Sequence, residues 1–318
     1  MKRRSVVIGA GAALAWPARA QERPRRIGVM IDGSTPHPLP EALRAGMAAR
    51  GWVEGRTIAY EVRYADGQPA RGQAQAAELA GLPVDAIVAH FTPSVRAAMA
   101  ATSTIPIIMA PAGAPLETGL VASLSRPGGN VTGVTNMAAE LGGRRLQLLK
   151  DMIPSLGRVA VLVSTHDAFT RPFVSYLEQG AASGGLQLNA VPVAGPAEFE
   201  AAFAAMAERR AGAVIIQGVF NSNRAAVLAL AARHRLPTMW FDRRAVDEGG
   251  LASLSANTAD MFRRASDMLD KVLRGGKPGE LPVEQPSVFE LVLNVRAARA
   301  LGLSIPPSVL VQADELVE

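Results

Sequence analysis

Three histidines, three carboxylates and a few phenylalanines are the residues here whose positions suggest chemistry, and most of them follow apolar runs. Asp32 and His37 follow "RRIGVMI", His90 and Phe91 close "VDAIVAHF", and Ser164, Thr165, His166 and Asp167 follow "GRVAVLV". Phe220 and Asn221 follow "AGAVIIQGV", and Phe241 and Asp242 follow "TMW". Carboxylates in such places can hold an ammonium, hydroxyls and helix-start amides can hold a carboxylate, and rings can stack on a planar ligand. Asp167 and Asp242 are the two candidates for an ammonium partner, with Asp242 slightly favoured although Arg243 and Arg244 adjoin it. In "HFTPSVRAAM", Thr92 or Ser94 is expected to cap a helix whose free N–H groups receive a carboxylate. His37, His90 and His166 could converge on a transition metal, but no tight ligand spacing supports a metal site and none is assigned. No cofactor is expected.

Catalytic motifs are missing. The chain has no cysteine, which excludes disulfides and thiol chemistry, and it has no G-x-S-x-G elbow, P-loop or H-E-x-x-H. "VVIGAGAAL" imitates a dinucleotide-binding turn, but Leu14 stands at the third glycine position and Pro17 interrupts the helix that should follow. That stretch belongs instead to a segment with Lys2, Arg3 and Arg4, an apolar run from Val6 to Trp16 and Ala18-Arg19-Ala20. It reads as a signal peptide cleaved after Ala20 and exported by the Sec or twin-arginine route, with a periplasmic destination. Its four basic residues account for nearly all of the formal net charge of +5, so nucleic acid is not an expected partner.

The apolar runs alternate with helical stretches over Leu39–Arg50, "QAQAAELAGL" and "SVRAAMAATS", the grammar of a doubly wound α/β lobe. The same grammar then restarts. "GRVAVLVSTH", "AGAVIIQGVF" and "RLPTMWFDRR" repeat "RRIGVMIDGS", "VDAIVAHFTP" and "TIPIIMAPAG" at offsets of about 130 residues. The fold class expected is therefore α/β, with two doubly wound parallel-sheet lobes joined by hinge crossovers. "SLSRPGGNVTGVTN" (Ser123–Asn136) lies between them and is read as a crossover, with Gly133 as hinge and Asn136 on the path. "GGLASLSANT" supplies a further extended segment ending near Asn257, a helix spans Ala259–Gly276, and Leu281–Asn294 is extended. The expected division is 25–134 plus about 256–290 for the N-terminal lobe, and 135–255 plus about 291–318 for the C-terminal lobe. Ligands of open parallel sheets bind beyond the strands' carboxyl ends, which adds Ala112 and Gly113 after the fourth run to the candidates above.

"STIPIIMAPAGAPLETGLVASLSRPGGNVTGVTNMAAELGGRRLQLLKDMIP" and "IPPSVLVQADELVE" closely resemble the extracytoplasmic substrate-binding proteins of ABC transporters, in the family that includes tryptophan- and phenylalanine-binding members. The resemblance runs from about Arg25 to the end, and "LSRPGGNVTG" is its most specific mark. It implies a type I periplasmic-binding clamshell, a small ligand trapped between lobes, and a membrane permease with its ATPase as partners. The expected ligand is an amino acid or related small carboxylate, aromatic ones included, bound by a monomer that is not an enzyme. The alternatives are a soluble sensor presenting a small molecule to a receptor, and a metal-binding protein.

Overall fold

A computed structural model describes residues 23–318; the segment read as an export signal lies outside the described residues. Strands β1 (Arg25–Ile31), β2 (Ile58–Tyr64), β3 (Ala86–His90), β4 (Ile107–Ala112) and β5 (Val131–Thr135) form a parallel five-stranded sheet in the order β2-β1-β3-β4-β5. The helices between them are α1 (Leu39–Ala48), α2 (Pro69–Gly81) and α3 (Phe91–Ala101). β1, β3 and β4 are buried on both faces, which is why they read as unbroken apolar runs rather than alternating ones.

The chain then crosses to α4 (Gly142–Met152) and a second sheet. This contains β6 (Arg158–Ser164), β7 (Gln187–Val193), β8 (Ala213–Ile216), β9 (Thr238–Trp240) and β10 (Ala252–Ala256), with α5 (Thr170–Gly184), α6 (Phe199–Glu208), α7 (Arg224–Arg233) and α8 (Arg243–Asp247) intervening. Helix α9 (Thr258–Leu273) returns to the first lobe, where Phe262, Ala265, Met268 and Leu269 pack with Leu43 and Met47 of α1. After a bridge between Val134 and Glu284 the chain crosses again to β11 (Phe289–Asn294), α10 (Val295–Ala300), α11 (Pro307–Leu310) and β12 (Glu315–Val317). The second sheet runs β12-β11-β10-β9-β8-β6-β7, parallel except where β11 meets β10. Of the stretch expected to be extended over Leu281–Asn294, only β11 is a strand.

Each sheet has a core on both faces. Ile27, Val29 and Ile31 face the α1 and α9 side, while Met30, Ile87 and Met109 face α2 and α3. Leu146, Val161 and Phe173 fill one side of the second sheet, and Phe199, Phe203 and Trp240 the other.

Gly133, the residue expected as hinge, sits inside β5 with φ of 133°, and a Cβ there would lie 2.4 Å from the Met109 backbone nitrogen and oxygen. Glycine is thus required by a close approach of β4. The segments that pass between lobes are those after β5, after β10 and before β11.

Candidate ligand-binding site

The carboxyl ends of both sheets face one another around a cavity of about 420 Å³. That lies within the range of roughly 300–1,000 Å³ usual for small-molecule pockets. Its lining includes the loop after β1, the start of α3, the ends of β4 and β5, and the loops after β6, β8 and β9. The start of α9 closes it from the second crossing.

Direct contacts join the rims. The Ser34 N–H donates to Ser222 Oγ at 3.2 Å, and Tyr176 Oη donates to Glu117 Oε1 at 3.4 Å. A Cβ on Gly113 would lie 2.5 Å from the Phe169 ring, so only glycine admits that ring against the end of β4. The lobes are therefore closed on each other.

Of the expected residues, His37, His90, Phe91, Thr92, Gly113, Asn136, Asp167, Asn221, Phe241 and Asp242 line the cavity. Thr92 does not cap α3. The helix starts directly after β3, with no side-chain cap, and Thr92 Oγ1 instead exchanges two 3.3 Å hydrogen bonds with the Gly113 backbone. Phe91 occupies the strand–helix junction at φ of 67°, a left-handed conformation costly for a bulky residue and typical of ligand-binding positions.

Other expectations are corrected. Phe220 is buried in the second lobe's core, edge-on to Phe199 at 5.3 Å. Asn257 caps α9, its Oδ1 accepting the Asp260 N–H at 2.7 Å. Ser94 and Ala112 are buried outside the lining, Ser164 Oγ accepts the His166 N–H, and Thr165 and His166 are exposed to solvent. The three histidines therefore do not converge, although His37 and His90 do meet, edge-on at 4.6 Å. Asp32 is buried one residue before the lining residue Gly33.

Several lining residues were not anticipated. Phe169 lies in the same loop as Asp167, and Phe262 projects from the second turn of α9. With Phe91 and Phe241 they put four phenyl rings around the cavity. Arg145 of α4 is fully buried: its guanidinium donates to the Leu254 carbonyl (3.1 and 2.7 Å) and the Ala138 carbonyl (2.6 Å). The same group stacks 3.7 Å from the Phe241 ring centre, a cation–π contact. Burial pushes Arg145 down to about 9. It ties the segment after β5 to β10, next to two of the crossings.

The electrostatics are uneven. Asp242 caps α8 and is held by the Arg244 guanidinium, Nε to Oδ2 at 2.9 Å. Asp167 accepts the Phe169 N–H and Gln217 Nε2, both at 2.9 Å. Gln217 is oriented by Oε1, which accepts from the Ser164 N–H and Thr170 Oγ1. Among the described residues Asp167 nonetheless has no cationic partner, and burial pushes it up to about 6. Burial, with a contribution from Asp167, pushes Asp32 up to about 7. Burial and Arg244 pull His37 down to about 4, and burial takes His90 well below its ordinary value, so both imidazoles are neutral at pH 7. The site thus offers aromatic walls, neutral imidazoles and unneutralised carboxyls. It shows no nucleophile–base pair.

A profile of the ABC transporter substrate binding protein family matches residues 27–317. A tyrosine-binding protein of Clostridioides difficile (strain R20291) is 25% identical over 272 residues, which is 84% of this chain and 78% of that protein. The ABC domain in complex with L-Trp from Streptococcus pneumonia is 25% identical, with a TM-score of 0.86 over 92% of this chain and 100% of that one. A conserved domain protein from Vibrio cholerae O1 biovar El Tor str. N16961 is 27% identical, with a TM-score of 0.85 over 92% of this chain and 99% of that one. Matched along nearly all of its described residues, and folded as two lobes around one cavity, the chain belongs to the ABC transporter substrate-binding protein family, whose members bind solutes and are not enzymes.

Proposed function

We propose that this protein is the extracytoplasmic binding component of an ABC importer and that it carries an aromatic α-amino acid. The observation that carries the reading is one cavity between two lobes, with four phenyl rings and the cation-free carboxyl of Asp167 in its lining. Rings on both sides suit a planar side chain, and Asp167 suits the α-ammonium. Tyrosine and tryptophan in the names of two relatives support the same class.

In this account the N-terminal lobe comprises 25–134 and about 256–290, and the C-terminal lobe 135–255 and about 291–318. The packing of α9 on α1 and the membership of β11 in the second sheet support that division. The protein works as a monomer in the periplasm after cleavage at Ala20. The closed lobes are what the permease and its ATPase recognise. No cofactor or metal enters the scheme.

A thermal-shift panel on residues 21–318 tests the reading. A ligand at about 100 times its dissociation constant adds about 2.7 kcal/mol of stability. Tyrosine, tryptophan or phenylalanine should raise the melting temperature, while sugars and divalent metals should not. A shift produced only by sugars or metals, or by no aromatic amino acid, would overturn it.

A further inference from the structure

Arg145 of α4 is fully buried, and no carboxylate among the described residues bonds to it. A guanidinium in so dry a place is costly unless carbonyls and ring faces replace its water. Here they do. Nη1 donates to the Ala138 carbonyl at 2.6 Å, Nε and Nη2 to the Leu254 carbonyl at 3.1 and 2.7 Å, and the Phe241 ring centre lies 3.7 Å away. The planar fork allows this; a lysine ammonium would be a point charge.

Both carbonyls belong to the second lobe's ends of chain crossings. In the first crossing the Asn136 N–H still donates to the Ala112 carbonyl of β4 at 3.1 Å, Met137 takes φ of 50°, and Ala138 is next. In the second, Leu254 lies in β10, Ala256 already packs in the first lobe's core, and Asn257 caps α9. One guanidinium therefore holds both crossings side by side where they enter the second lobe. The third crossing is tied to the first on the opposite lobe, where the Thr135 N–H donates to the Glu284 carbonyl at 3.0 Å. Asn136, Ala138, Arg145, Ser255 and Ala256 all line the cavity, so the crossings border the cargo space.

Crossings free to shift against each other would let the lobes slide and twist. Clamped at a fixed spacing, they leave rotation about the line that joins them. We propose that Arg145 is the positioning residue of lobe closure, clamping two crossings so that the lobes turn about one axis through Asn136–Met137 and Ser255–Asn257. Through the Phe241 ring the clamp also fixes one cavity wall relative to that axis. This goes beyond the cargo reading and does not depend on which molecule is carried.

The chain has no cysteine, so Gln73→Cys on α2 and Gln179→Cys on α5, both exposed, accept one spin label on each lobe. Double electron–electron resonance then reads the interlobe distance in otherwise wild-type protein, in Arg145→Met and in Arg145→Lys, each checked for a cooperative melt. Wild type should give a single narrow distance without ligand and a single narrow distance with saturating L-tyrosine. Arg145→Met should widen the ligand-free distribution, and Arg145→Lys, which keeps the charge without the fork, should widen it too. A broad distribution in wild type would overturn the clamp even if neither variant folds. Equal widths in wild type and Arg145→Met, or full rescue by lysine, would also overturn it.

Calorimetry with L-tyrosine supplies the second arm. Arg145→Met should lose about tenfold in affinity, because a smaller fraction of its lobe orientations can bind. A loss of affinity with an unchanged distance distribution would make Arg145 a direct ligand contact and overturn the clamp. Failure of tyrosine, tryptophan and phenylalanine to bind wild type would overturn the cargo reading and leave the distance result to decide the clamp.

Discussion

Asp167 and Asp242 are both loop carboxylates on the second lobe's rim, and they differ in what already holds them. Asp242 has a guanidinium and a helix N-terminus, so it is a structural cap that also lines the cavity. Asp167 has only an amide and a backbone N–H, which leaves its charge for the ligand. Asp167→Asn should weaken amino-acid binding by about 10- to 100-fold, the value of a hydrogen bond to a charged group. Asp242→Ala should instead cost about 1 kcal/mol of stability through loss of the cap, with a smaller effect on affinity. Calorimetry and chemical denaturation of the two variants separate these outcomes. At this scale most of the loops named from the sequence line the cavity, because strand ends converge on one side of any open sheet. It could not say which face a ring takes: Phe220 and Phe169 both follow strands, and only packing against Phe199 sends the first into the core. Arg145 left no trace, since an arginine in an amphipathic helix ordinarily marks the solvent face.

The end of β4 and the loop after β6 meet at Gly113 and Phe169, and this junction sets how far the lobes approach. Gly113→Val should hold the cleft ajar, because even one Cβ would stand 2.5 Å from the ring. The expected result is weaker ligand binding with a lobe core of ordinary stability. Unchanged affinity would mean that closure does not run through this contact. Gly133 behaves differently. It is packed on the Met109 backbone within β5, so replacing it should lower stability before it alters any motion. The β-branched run around Gly133 was readable as a strand, but its pairing with Met109 was not, because register in a parallel sheet depends on residues far away in the chain. The internal repeat was readable for the opposite reason: strands buried on both faces leave long apolar runs, and those runs recur in order.

Across the whole molecule, three chain crossings and a shared cavity make lobe closure and ligand capture one equilibrium. A ligand that touches both rims favours the closed state by its differential affinity, and a ligand touching one rim does not. The rings of Phe91 and Phe262 come from the first lobe's side, and those of Phe169 and Phe241 from the second. Cargo held among them therefore depends on closure for half of its contacts. The most direct measurement is small-angle X-ray scattering of residues 21–318, with and without a saturating aromatic amino acid whose binding has been verified by calorimetry. The account predicts a smaller radius of gyration on binding. Verified binding with an unchanged radius and an open profile in both states would contradict capture between closing lobes.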